Sequence, residues 1–494
     1  MSAKILNRFL YCAILLLIVE IGCRRTPIYN TDTRFRLEFS QDSIRFDTIF
    51  TSLGSTTAML KVYNRSSLDV KISTIMLENG YHSAYRLNVS GDTAMVAKDV
   101  IIRARDSLMI FIKVTIDPND VTNPFEVIEH IIFDLGHHEQ KVYLSAFGQN
   151  AVYYLPTDVL KIPYDNAGHI DTMYIPYSIA DCSLPWTNEK PYIIYGYLVV
   201  YTGDNLVLEA GTQLYFAPNS GLWVYDGGSL QVNGALHNEV LFTGMRRDAD
   251  YKNSTGQWDR IWLSAGSRDN QINYAIIQNG KIGLLVDTVA NANPTLIIRN
   301  SILQNMQSYG LLAQGATIQG ENLLINDCGG NLLALTLGGS YSFQHCTFAN
   351  YHTNTTGQEP AVRLNNYYLT SVGSSVQTVL RPIHRADFTS CVIYGMQKNE
   401  IQLDLSTSTT ANYRFAYSHL KTDISLNNSH FSDCIVNIDP LFDSISVNNF
   451  AITKAASPLK GKAQPGVSGF LLFDIQGIYR PYYPTIGAYE YVAP

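Results

Sequence analysis

From Tyr197 to Asp287 the chain alternates apolar and polar residues in short runs: Leu206 and Leu208, Leu214 and Phe216, Leu222 and Val224, Leu230 and Val232. Alternation with a period of two marks a strand with one buried face, and each run is closed within a few residues by Gly, Asn or Asp. Gly211, Gly221, Gly227, Gly228 and Gly234 fall where the chain must turn sharply, so positive φ is expected at these corners. Strands this short and this frequent predict a coil of strands rather than a sandwich.

The chain then repeats itself. Tyr274 to Asn279, Asn300 to Asn305, Glu321 to Asn326 and His345 to Asn350 share one pattern, and their terminal asparagines (279, 305, 326, 350) stand 26, 21 and 24 residues apart. A second strand follows the first three, at Ile282 to Val286, Tyr309 to Ala313 and Gly330 to Ala334. Such a period without helical patterning predicts a solenoid, in which a coil buries its inward side chains only by stacking on the next. The recurrent Asn is expected to stack at one corner, where it tolerates left-handed geometry and bonds the asparagines above and below.

On these residues the chain resembles the right-handed parallel β-helix proteins of the pectate-lyase-like superfamily, in particular surface lipoproteins of Gram-negative bacteria. The C-terminus is similar to the blocks that close such helices: Asp439-Pro440-Leu441-Phe442, Ser457-Pro458-Leu459, Asp474 to Pro481 and Ile486-Gly487-Ala488-Tyr489-Glu490-Tyr491. The resemblance covers roughly residues 190 to 494 and implies fold more than activity, because this fold hosts lyases, hydrolases, adhesins and inert scaffolds.

Composition narrows the class. At 46% hydrophobic the 494-residue chain can build a long core, and a net charge of −7 leaves no basic stripe for nucleic acid. Lys4 and Arg8 precede an apolar run from Phe9 to Val19, too short for the roughly 20 residues of a membrane span, so residues 1–22 read as a signal peptide. Ile21-Gly22-Cys23 resembles the end of a bacterial lipobox, with Glu20 where that motif has an apolar residue. The resemblance implies a lipid on Cys23, a tether over 23–35, a membrane partner through the anchor and, with Arg24 following, an outer-membrane destination. Five further cysteines, Cys182, Cys328, Cys346, Cys391 and Cys434, are odd in number and lack CxxC spacing, which argues against a disulfide framework or zinc site. Cys346 and Cys391 occupy equivalent repeat positions and are expected in an interior ladder.

Residues 36–150 alternate over longer strands, including Thr57 to Asn64, Val70 to Ile75, Tyr85 to Val89, Ser107 to Val114, His130 to Phe133 and Lys141 to Gly148. This predicts an Ig-like β-sandwich, and it resembles bacterial modules related to the abnormal-spindle/Hydin group. Residues 151–195 carry Pro156, Pro163, Pro176, Pro185 and Pro191 and read as a connector that caps the first coil. The β-helix is expected over 196–440 and a capping segment over 441–494. Asp-Ser/Thr-apolar triplets, for example at Asp106, Asp171 and Asp443, resemble an O-glycosylation acceptor pattern of gut-type Gram-negative bacteria.

For chemistry, a β-helix lyase needs clustered carboxylates holding Ca²⁺ beside a basic residue, and an inverting glycosidase needs carboxyl groups roughly 6.5–9.5 Å apart. The best outward set is Glu400, Gln402 and Asp404 on one predicted strand, with Arg363 aligned to Gln402 and Asn365 to Asp404. Two residues per ~6.6 Å put Glu400 and Asp404 about 13 Å apart, too far for that pair alone. His345, His352, His384 and Arg385 are scattered. Insertions at Tyr351 to Pro360 and Tyr367 to Arg385 offer binding loops, with Tyr367 and Tyr368 as ring platforms for a sugar. Two functions are consistent with these residues. One is a non-catalytic surface lipoprotein that binds a polysaccharide or surface protein and needs no cofactor. The other is a polysaccharide lyase or glycoside hydrolase, with Ca²⁺ only for the lyase.

Overall fold

The computed structural model describes residues 28–493 apart from 47–48, 51–53, 94, 117–125, 167–168, 249–250, 288–293, 353–358 and 373–374. The expected signal peptide and the first five residues of the expected tether, Cys23 among them, therefore lie outside the described residues, as does the middle of the first insertion. The chain divides into two units, one ending at Gln149 and one beginning at Asn150.

The first unit is a two-sheet sandwich. One sheet orders Glu38–Phe39, Ala58–Tyr63, Ser107–Val114 and Tyr85–Val89, all antiparallel. The other runs Ser43–Arg45, Glu139–Gln149, Glu126–Asp134, Val70–Leu77 and Val96–Ile102, with Ile49–Phe50 also on Glu139–Gln149. Its core comes from alternate residues of both sheets, among them Leu60, Val62, Ile72, Ile110, Ile112, Val142 and Leu144.

The second unit is a parallel β-helix with three sheets of eleven, ten and nine strands. A coil consists of three strands. Ala275–Gln278, Ile282–Val286 and Leu296–Arg299 form one, and Ile302–Met306, Tyr309–Gln314 and Thr317–Glu321 pair with them in parallel to form the next. In the first coils the sequence pattern marked all three strands, Leu206 and Leu208 and Leu230 and Val232 lying on the nine-stranded sheet, but from Tyr274 onwards it marked two per coil and missed the third, as at Thr317-Ile318-Gln319-Gly320-Glu321.

Stacking places like on like inside. Phe343, Phe388, Phe415 and Phe431 are register partners on successive coils, with ring centroids 5.4, 4.8 and 5.4 Å apart and planes within 19°. Offset aromatic stacks of this kind add stabilisation beyond the area they bury.

The corners differ from the expected single asparagine stack. One corner is a column of left-handed residues, Tyr274, Asn300, Asn322, His345, Ser390, Tyr417 and Asp433, with φ between 48° and 56°. The other holds Asn279, Asn305 and Asp327, with φ of 67°, 57° and 51°. Asn326 pairs in register with Gln304, so the sequence alignment slips by one residue there and an aspartate takes the corner. Each column carries its own ladder. Asn305 Nδ2 donates to Asn279 Oδ1 at 2.6 Å, and Asn322 donates to Asn300, which donates to Asn273, at 3.0 and 2.9 Å. Among the glycines, Gly211 and Gly227 have the expected positive φ, whereas Gly234 is required because a Cβ would meet Tyr274 O at 1.9 Å.

Residues 151–195 are more ordered than their prolines suggested. Val152–Tyr154 opens the eleven-stranded sheet, and Asp158–Asn166 with His169–Ile179 forms a hairpin that opens the ten-stranded one. Pro163 lies on the hairpin's edge strand and Pro176 one residue before the strand joins the next coil at Tyr177, positions where a missing N–H is tolerated. Trp186 closes the first coil, stacked between Tyr154 and Tyr192 at 4.9 and 4.1 Å.

Residues 441–494 were expected at the far end of the helix, but those described, 441–493, run along its flank. Outward residues of the eleven-stranded sheet are apolar here, and Leu324, Ala349 and Val392 form a core with Phe442, Phe450, Ile452, Leu459, Ile475, Ile486 and Ala488. The coil end is instead closed by Tyr413, Ile424 and Leu426, which pack on the interior core. Arg480 locks the strap. Its buried guanidinium donates to Asn322 Oδ1 and Gly487 O at 3.0 Å and faces Glu490 at 3.6 Å, so it terminates one asparagine ladder. Asp474 accepts N–H bonds from Gln476, Ile478 and Glu490 at 2.7–2.8 Å. Removing one partner of a buried ion pair typically costs about 3–5 kcal/mol. Arg480→Ala is therefore expected to destabilise the protein by roughly 3 kcal/mol or more in urea unfolding, with first proteolytic cleavage between residues 440 and 493.

Candidate functional site

The candidate residues lie on the last two strands of the ten-stranded sheet, Val362–Asn365 and Ile401–Asp404, where Arg363 pairs with Gln402 and Asn365 with Asp404. A hairpin, Tyr367–Val372 with Ser375–Leu380, leaves the coil immediately after. Beside them an open cleft of about 460 Å3 is lined by Glu359, Pro360, Asn399, Ile401, Gln402, Leu403 and Ile424.

Asp404 is surrounded by donors. Arg363 Nη2 and Asn365 Nδ2 donate to its Oδ2 at 2.8 and 3.1 Å, and the Tyr367 hydroxyl donates to Oδ1 at 2.7 Å. Partial burial raises the Asp404 pKa, but the bonds from Arg363, Tyr367 and Asn365 outweigh it, so the carboxyl titrates below its ordinary value and stays ionised. The Tyr367 hydroxyl is thus engaged within the protein. Tyr368 is half-buried, with the Arg381 guanidinium 5.8 Å from its ring centroid.

Glu400 does not share the face of Asp404. It sits at the corner before its strand, fully buried, and accepts bonds from Asn350 Nδ2, Ala361 N and Gln397 N at 2.7–2.9 Å. Burial pushes its pKa up, against the lowering effect of those donors and of Lys421. The strict alternation assumed from the sequence fails because the chain is still turning at Glu400, and backbone N–H groups of the turn need an acceptor.

Paired general acid and base chemistry needs one carboxyl free to give a proton and another free to take one. Here each carboxyl accepts three hydrogen bonds from within the fold. Among the described residues no three His, Cys, Asp or Glu side chains converge to hold a metal ion.

The histidines are dispersed. His345 is a buried corner residue, and the exposed His384 and Arg385 lie on the nine-stranded sheet, with Arg385 paired to Asp387 at 2.7 Å. His419 is wholly buried against Tyr394, with ring centroids 5.3 Å apart.

The sequence reading overlooked an outward aromatic band on the first coils of the ten-stranded sheet. Trp223 stacks on Trp262 at 4.7 Å and Tyr201 on Tyr225 at 5.6 Å, Tyr197 bonds Asp259, and Trp262 Nε1 donates to Asp287 at 2.6 Å. Equal placement of Trp223 and Trp262 within their coils was the signal for it. The rings stack on one another along the coil axis, so the faces turned towards each other are covered, while Tyr201 and Tyr225 remain exposed at 52% and 38%.

No family model and no curated protein matches the chain. Among solved structures it is similar to the catalytic unit of a thermostable GH87 α-1,3-glucanase from Streptomyces thermodiastaticus strain HF3-3, at 9% identity over 80% of this chain and 77% of that one, with a TM-score of 0.27. It is also similar to the Agl-KA catalytic domain, at 12% identity over 85% and 82%, with a TM-score of 0.24. An ASH/PapD-like domain of human CEP192 matches at 11% identity over 26% of this chain and 96% of that one, with a TM-score of 0.17.

Burial lowers the His419 pKa from its ordinary value to about 4. The unfolded chain therefore takes up this proton first, and stability falls as pH drops from about 6.5 towards 4. His419→Phe is expected to give a shallower loss over that window, measured as the urea midpoint against pH; an unchanged slope contradicts the assignment.

Proposed function

We propose that the protein is a non-catalytic binding scaffold, exported and held on the outer membrane through a lipid on Cys23, which offers a polysaccharide or surface-protein ligand the hairpin end of its β-helix. The observation that carries this reading is the engagement of Asp404 and Glu400 by hydrogen bonds from Arg363, Asn365, Tyr367, Asn350 and two backbone N–H groups. A carboxylate that accepts three hydrogen bonds from its own fold is held in place and fixes the shape of the surface around it. The hairpin supports the reading because it is exposed at Leu369 and Val376 and carries no charged residue from Tyr367 to Leu380. The anchor rests on Lys4, Arg8, the apolar run to Val19 and Ile21-Gly22-Cys23.

Incubation with pectin, xylan, mannan and glucans is expected to release neither reducing ends nor unsaturated uronates, with or without Ca²⁺. Co-sedimentation with an insoluble polysaccharide or surface-protein fraction is expected to weaken at least tenfold when residues 368–380 are replaced by a short Gly-Ser turn. Turnover that disappears in Asp404→Asn would overturn this reading in favour of the hydrolase or lyase. Separately, Cys23→Ser is expected to move the protein from the membrane to the soluble fraction; unchanged membrane association contradicts the anchor.

A further inference from the structure

We propose that Cys346 and Cys391 form a disulfide that staples two successive coils at the two ends of the long coil that carries the hairpin. The ladder pairs Ile276 with Ile302, Ile302 with Leu324, Leu324 with Thr347, Thr347 with Val392, Val392 with His419 and His419 with Ile435. The residue before each of these makes one inward column: Ala275, Ser301, Leu323, Cys346, Cys391, Ser418 and Cys434. Cys346 and Cys391 are neighbours in it, joined by Val392 N donating to Cys346 O at 2.9 Å. Both are fully buried free thiols.

Adjacent strands lie about 4.8 Å apart, inside the Cα separation of roughly 4.4–6.8 Å that a disulfide spans. No other described pair qualifies. Ser418 separates Cys391 from Cys434, placing them about 9.6 Å apart. Cys328 follows the other corner, and Cys182 lies in the first coil between His169–Ile179 and Trp186. The five cysteines thus resolve into one pair and three singles, which an odd count conceals.

The location gives the bond a purpose. Corner residues stand at 300, 322 and 345 and then at 390, so the coil between Cys346 and Cys391 is about twice as long as its predecessors and carries both the hairpin and Arg363. Closing a longer loop costs more chain entropy, and a covalent closure removes that freedom from the unfolded chain.

The oxidant is a small disulfide such as oxidised glutathione. One cysteine thiolate attacks a glutathione sulfur, forms the mixed disulfide and releases one glutathione thiol; the second cysteine then displaces the other glutathione, forming the Sγ–Sγ bond. Two protons and two electrons leave the pair and reside on two glutathione thiols. Burial and the neighbouring Cys391 thiol hold Cys346 protonated once folded, so exchange occurs as the chain folds or opens.

The test is to refold the full chain in a buffer of oxidised and reduced glutathione, alkylate the remaining thiols and map the peptides by mass spectrometry. The expected result is a linked Cys346–Cys391 peptide, two fewer alkylated cysteines than in the reduced protein, and a Tm several degrees above that of the same sample after reduction. Cys391→Ser serves as the control, because serine already occupies this column at 301 and 418; it should fold, show no link and lose the redox dependence of Tm. Full alkylation of Cys346 and Cys391, a link between any other pair, or an unchanged redox dependence in Cys391→Ser would each overturn the proposal.

Discussion

Each coil of the β-helix has an apolar inner face that it cannot bury alone. A strand of four or five residues contributes two or three inward side chains, and water is excluded from them only when the next coil lies one strand spacing above. That constraint fixes the rest. The coils must keep register, so Phe343, Phe388, Phe415 and Phe431 fall into one stack. The chain must also turn within one or two residues, so corner positions take left-handed geometry. Asparagine is favoured there because its amide both tolerates that geometry and bonds its neighbour along the axis.

The same constraint shapes what the outside can do. Outward residues of neighbouring coils are as close as inward ones, so polar groups on adjacent rungs find each other before they find a ligand. Asp404 is filled by Arg363 and Asn365 in this way, and Arg299 pairs with Glu321 on the nine-stranded sheet at 2.6 Å. The eleven-stranded sheet takes a different course: its outward residues are apolar and the C-terminal strap covers them. One flank is thereby closed to ligands, and the others are polar ladders or stacked aromatics interrupted by the long coil between His345 and Ser390.

Much of this was legible from residues alone. Alternation located all three strands of the first coils, alternation with the recurring Asn located two strands of each coil from Tyr274 onwards, and the strands of the sandwich from Ala58–Tyr63 to Glu139–Gln149 followed from the same period of two. Three features were not. The third strand at Thr317–Glu321 has a single large apolar residue, Ile318, so its period does not stand out. Asn326 matched the pattern by type while Asp327 took the corner, because αL geometry accepts either residue and spacing alone does not choose. Glu400 looked outward by parity, yet the turn's N–H groups drew its carboxylate inside. The strap was recognisable as a terminal motif, but its place on the flank depends on Leu324, Ala349 and Val392, whose need for cover is visible only once the coils are stacked.

Uniform stacking is tested most directly by a distance between coils. Gln271 and Arg414 are exposed residues of the nine-stranded sheet, 143 positions apart in the chain and separated by five successive pairings. Spin labels on Gln271→Cys and Arg414→Cys, with Cys12, Cys23, Cys182 and Cys434 changed to serine, report this separation by double electron–electron resonance. Five strand spacings predict one narrow distribution centred near about 24 Å, widened by the label arms. A broad distribution, or a centre beyond roughly 40 Å, would mean that the coils do not stack at one strand spacing.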